Sequence, residues 1–151
     1  TYAIVRFLKK AEHEDFYDED FCIYNDVVVF DPSEGNMIYG YPRDDFAPTD
    51  FHSATLIGDS IWIIGGLGYL QNRKPDQTPV YRLDLDSMQM QYIATFDEKP
   101  GWIWEHSARH DVETEAIVVS GGKRFLSNEA SESLKGEFAL DLATNRWSKI
   151  A

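Results

Sequence analysis

Cysteine is nearly absent from this chain: its 151 residues include one, Cys22. A single thiol cannot close an internal disulfide, and zinc sites built from several cysteines are excluded with it. Basic residues are scarce too, with 14 Lys and Arg against 26 Asp and Glu, a formal net charge of −12. Nucleic-acid surfaces draw most of their affinity from neutralising phosphates. This balance therefore argues against DNA or RNA as a partner, and equally against an anionic membrane. No apolar run approaches the ~20 residues of a spanning helix, and no signal-peptide pattern opens the chain. No Asn-x-Ser/Thr acceptor is present either. Together these absences lead us to expect a cytoplasmic protein. Also missing is any sustained apolar stripe at the i, i+3, i+4 spacing of an amphipathic helix.

What is present is short-range apolar patterning. Hydrophobic residues make up 43% of the chain and aromatics 14%, enough for a packed core. The segments "ATLIG" (54–58), "IWIIG" (61–65), "VYRLDL" (80–85), "EAIVV" (115–119) and "EFALDL" (137–142) are rich in Val, Ile and aromatics and are bounded by turn residues. "GDS" (58–60) reads as a tight hairpin turn and "HDVETE" (110–115) as a longer one. The fold class expected is all-β, antiparallel and rich in hairpins.

The segments also repeat. "FDPSEGNMIYG" (30–40), "LDLDSMQMQYI" (83–93) and "LDLATNRWSKI" (140–150) each show an apolar residue, then Asp, then a large residue six positions on. The Asp residues are Asp31, Asp84 and Asp141, and the large residues Met37, Met90 and Trp147. His52 in "FHSAT" and His106 in "EHSAR" keep the same beat. So do the pairs Gly65–Gly66 and Gly121–Gly122, which close "IWIIGG" and "IVVSGG". A period of roughly 50 residues with four strands is that of a propeller blade. "IIGG" lacks the Lys of a phosphate-binding loop and any helix behind it, so these glycines are expected to be structural.

The order of marks, His-Ser-Ala, double Gly, Asp, then Trp, resembles the kelch repeat, best known from the central domain of sugar oxidases. "EKPGWIWEHSA" (98–108) is similar to the segment that joins kelch blades. The resemblance covers roughly residues 20 to 150. It departs from the family where Phe30, Leu83 and Leu140 replace the usual Tyr, and where the first unit lacks a glycine pair. The resemblance implies kelch-type blades of four antiparallel strands in an incomplete ring of two to three. The single domain divides into approximate units at residues 1–41 (partial), 52–95 and 106–150. "YAIVRFL" (2–8) would be the second strand of the partial unit, whose first strand is missing. So short an arc leads us to expect self-association, or the remainder of a longer propeller.

Function is expected to be non-enzymatic: a module that binds a protein partner through its loops. No catalytic constellation stands out, and no cofactor or metal is expected. Copper-radical oxidases of similar fold need a cysteine cross-linked to a tyrosine, and Cys22 lies in a different setting. Two histidines from neighbouring units could converge on a metal, but their equivalence by repeat favours a structural role. Candidate partner contacts fall in three places. The acidic run "EHEDFYDED" (12–20) sets Phe16 and Tyr17 beside Glu14 and Asp15. The loop "YLQNRKPDQTP" (69–79) carries Arg73 and Lys74. "PGWIWEH" (100–106) offers Trp102 and Trp104, as interblade packing or as a sugar-stacking platform, and the latter is the basis of an alternative carbohydrate-directed function.

Overall fold

A computed structural model describes residues 2–5 and 23–151. Among them, regular structure is strand throughout apart from one short 3-10 turn at Leu70–Asn72. No helix among the described residues is long and apolar enough to cross a membrane. The acidic run with Glu14, Asp15, Phe16 and Tyr17, and Cys22, lie outside the described residues.

The first sheet holds β1 (Tyr2–Val5), β2 (Asp26–Asp31) and β3 (Gly35–Gly40) in that order, all antiparallel. The second is a four-stranded antiparallel meander of β4 (Ser53–Ile57), β5 (Ser60–Ile64), β6 (Val80–Asp84) and β7 (Met90–Tyr92). Two short strands follow, β8 (Phe96–Asp97) and β9 (Ile103–Trp104). The third sheet takes β10 (Ser107–Asp111) and β11 (Ala116–Ser120), leaves out β12 (Lys123–Ser127) and β13 (Ala130–Ser133), and continues with β14 (Glu137–Asp141) and β15 (Arg146–Lys149). β8 joins its outer edge parallel to β15, tied by two bonds from Arg146 Nη1 to the Asp97 carboxylate at 2.9 and 2.7 Å. β12 and β13 form a separate hairpin that pairs with β9. The sequence reading placed only a loop there. The segment is polar, and its shape depends on β9, on burial of Phe125 and on the Arg124–Glu132 ion pair.

The Asp turns account for the last hairpin of each sheet. Asp31 Oδ1 accepts from the Ser33 amide and hydroxyl at 2.8 and 2.7 Å, and Asp84 Oδ1 accepts from Ser87 at the same two distances. Asp141 Oδ1 accepts from the Thr144 amide and hydroxyl at 2.7 and 2.8 Å. These are side-chain turns in which a carboxylate replaces a backbone acceptor. Four residues after each Asp the backbone turns left-handed, at Gly35 (φ 90°), Met88 (φ 56°) and Asn145 (φ 57°). The hydroxyl and amide bonds hold all three carboxyls below the usual carboxylate range.

Pairing then fixes which face each residue shares, because residues directly opposite in an antiparallel ladder lie on the same side. In the second sheet Leu83 opposes Met90, and in the third Leu140 opposes Trp147. In the first sheet Asp31 opposes Gly35, a turn one residue shorter, so Phe30 opposes Asn36. Met37 therefore falls opposite Val29, on the other face, and is 40% exposed. This corrects its alignment with Trp147. Trp147 is fully buried, whereas Met90 is only half-buried at the margin of its cluster.

Two cores lie between the sheets. Val27 and Val29 of the first meet Ile61, Ile63, Tyr81 and Leu83 of the second, with Phe46 from the connecting segment. Phe46 stands edge-on to Tyr81 with ring centres 4.9 Å apart. Trp62, Ile64 and Val80, on the opposite face of the second sheet, meet Ile117, Val119, Phe138, Leu140 and Trp147 of the third. We expect Trp147→Ala to cost about 3–5 kcal/mol, and Met90→Ala to cost on the order of 1 kcal/mol, in denaturant unfolding. Equal costs would contradict the register described.

Candidate functional site

The glycine pairs and His106 meet where the chain enters the second and third sheets. Gly65 and Gly66 have φ of 67° and 117°, and Gly121 and Gly122 have φ of 67° and 73°. A Cβ on Gly65 would overlap the Ile103 carbonyl and come within 2.8 Å of His106 Cε1. One on Gly66 would overlap the Thr49 hydroxyl, and one on Gly122 the Trp104 carbonyl. Each pair thus lets the end of a sheet's second strand lie against the linker that leads into the next sheet or its own. Gly66 N also donates to Ile103 O at 2.8 Å.

His106 is buried, with Nε2 2.8 Å from Ser53 Oγ. Ser53 immediately follows His52 in the sequence, so the hydrogen bond ties the starts of β4 and β10. Burial pushes His106 down to about 4. His52 is likewise lowered to about 4, by burial first and by the nearby His106 second. A serine beside an imidazole invites a nucleophilic reading, but a base with a pKa near 4 is poorly matched to taking a hydroxyl proton at neutral pH. Among the described residues His106 Nδ1 has no hydrogen-bond partner, and none of their carboxylates orients the ring. Among the described residues no group of three or more His, Cys, Asp or Glu side chains is placed to hold a metal ion. His110 lies apart, 3.8 Å from the Glu115 carboxylate.

Of the two readings of Trp102 and Trp104, packing is the one observed: they are buried at 8% and 7% exposure and form a small core with Phe125. Neither ring presents a face for a sugar. Arg73 is similarly engaged. Its Nε and Nη2 donate to the carbonyls of Leu67 and Gly68 at 2.9 and 3.0 Å. Its guanidinium also lies 5.9 Å from the Trp104 ring centre and 5.8 Å from that of Phe125. Trp102 Nε1 adds a bond to Leu67 O at 3.2 Å. Arg73 therefore pins the loop 69–79 to the segment just before it and to the rings of β9 and β12, leaving Lys74 exposed at the loop's surface.

A surface that the sequence reading missed lies on the outer face of the first sheet. Val28 opposes Ile38 and Phe30 opposes Asn36, all facing away from the second sheet. Ile38 is 61% exposed and Phe30 47%. Strand alternation could have found it, since Val27 and Val29 claim the inward face. The outer face of the third sheet differs: Arg109, Val118, Ala139 and Ser148 form one row across it. Arg109 lies 3.9 Å from both Glu137 and Asp111 and stands opposite the buried Val118.

Comparison with known protein families and with curated proteins finds no match to this chain.

Two outcomes are expected at the linkers. Gly121 has open space around its Cβ position, so Gly121→Ala carries only the left-handed strain, roughly 1–2 kcal/mol. Gly122→Ala must also displace the linker backbone and should cost clearly more; equal losses in thermal melts would contradict the close approach. For the histidines, the unfolded chain takes up protons near the ordinary value of 6.5 while the folded chain resists until about 4. Stability therefore falls as pH is lowered through that window and stops falling below it. The Asp turns lose their contribution only at lower pH, below 3.8. Urea titrations from pH 7.5 to 4 should show this slope, and His106→Gln should flatten it; a pH-independent midpoint would contradict it.

Proposed function

We propose that the three sheets are kelch-type propeller blades and that the chain is a non-enzymatic module binding another protein. The repeated Asp turns, the matched faces of Leu83 and Leu140, and the glycine pairs set against the linkers support the blade reading. The observation that carries the binding reading is the outer face of the first sheet, where Ile38 and Phe30 stand exposed, although Leu83 and Leu140, the equivalents of Phe30, are buried against a neighbouring sheet. Contiguous exposed apolar area of this kind marks protein contacts. The buried Trp102 and Trp104 and the weakly basic His106 give chemistry on sugars little to work with.

Affinity capture with the wild-type chain and with Ile38→Asp tests this. A protein partner retained by the wild type and reduced about tenfold or more by the variant, with its melting temperature unchanged, is the expected result. Saturable glycan binding that Ile38→Asp leaves intact would overturn it.

A further inference from the structure

The outer face of the first sheet differs in charge from the sheet faces that meet inside the molecule. Strand alternation puts Asp26, Val28 and Phe30 of β2 on it, with Ile38 and Asn36 of β3 opposite Val28 and Phe30. Phe30 and Ile38 are exposed, and Val28 is half-buried beside them. Both ends of this apolar strip are acidic. Asp26 stands half-buried at one end, and among the described residues its Oδ1 is shielded from solvent and accepts no hydrogen bond. The Asp31 turn, with exposed Glu34, stands at the other end of β2, about 17 Å away at the rise of a strand. Residues 23–41 hold these acidic groups and no Lys or Arg.

The equivalent faces that are covered carry no such group at the place of Asp26. Phe30 corresponds to Leu83 and Leu140, which are buried against a neighbouring sheet. Four residues before those leucines stand Pro79 and Gly136, where the first sheet has Asp26. A purely apolar cover would strip water from the Asp26 carboxylate and give its unpartnered oxygen no donor, which is costly for a charge. The face is therefore complementary to an apolar surface with cations at its margins. A second copy of the chain does not supply that. Its net charge is −12, and two copies of this face would set carboxylate against carboxylate.

We propose that the face binds a segment of another protein that has branched apolar residues at its centre and Lys or Arg at both ends. The centre packs on Phe30 and Ile38, one cation meets Asp26 Oδ1, and another meets the Asp31–Glu34 turn. This rests on the reading of the face as a protein contact and adds the chemistry of what is bound. The acidic chain also attracts such a segment from a distance, so association quickens at low salt.

The probe is a fluorescein-labelled peptide, KKITVTIKK, with EEITVTIEE as its counterpart, each titrated with the full 151-residue chain and followed by anisotropy. Saturable one-to-one binding of the lysine peptide is expected, weakened about tenfold or more by Ile38→Ser. Asp26→Asn or Glu34→Gln should weaken it about threefold, as should raising salt from about 0.05 M to about 0.5 M. The glutamate peptide should bind at least about tenfold more weakly. Ile38 and Glu34 are exposed, and circular dichroism checks that the variants stay folded. Absence of saturable binding, equal binding of the two peptides, or binding untouched by Ile38→Ser would overturn the proposal. So would binding that neither Asp26→Asn nor Glu34→Gln weakens. The capture experiment with Ile38→Asp then still decides whether the face is a protein contact, so the two readings fail separately. A concentration-dependent dimer dissolved by Ile38→Ser would also overturn the proposal, giving the face to a second copy.

Discussion

A β-sheet with apolar residues on both faces is stable only where a neighbour covers each face. The second sheet has this property in full: Ile61, Ile63, Tyr81 and Leu83 go one way, and Trp62, Ile64 and Val80 the other. Its two neighbours follow from that requirement. The first sheet brings Val27 and Val29 to one side, and the third brings Ile117, Val119, Leu140 and Trp147 to the other. The outer face of the third sheet carries Arg109, Ala139 and Ser148 with a buried Val118 among them, whereas that of the first sheet exposes Phe30 and Ile38.

Close stacking of sheets requires linkers that cross near strand ends, and the glycine pairs meet that need. Gly65, Gly66 and Gly122 sit where a side chain would overlap linker atoms, and His106 fills the same corner with its ring against Gly65. Burial there keeps the imidazole neutral, and its bond to Ser53 ties the starts of β4 and β10 together. Arg73, Trp102, Trp104 and Phe125 do the corresponding work at the other long loop, where guanidinium and aromatic faces hold the chain on itself.

Much of the fold was legible because period-2 patterning and turn chemistry are local. β4, β5, β6, β11 and β14 fall within two residues of the segments read from sequence. The Asp–Ser and Asp–Thr turns explain why those repeats align. The β12–β13 hairpin was not legible, since its polar strands depend on pairing with β9 twenty residues earlier. Nor was the shortened first turn, which moves Met37 to the other face and could be seen only from its pairing with Val29. Arg73, and the choice between packing and contact for Trp102 and Trp104, illustrate a further limit. Exposure of Arg73, Trp102 and Trp104 depends on loop closure, and composition says nothing about which way a loop folds. The apolar outer face of β2 and β3 was written in the alternation of "DVVVFD" but becomes meaningful only once one face is assigned to the core.

The central claim is that the second and third sheets share one core and open together. Amide hydrogen exchange resolved by segment tests it most directly. The account predicts that β5, β6, β11 and β14 exchange at one common, slowest rate, with β3 exchanging faster from its exposed sheet. Independent exchange of the second and third sheets, with separate opening free energies, would contradict it.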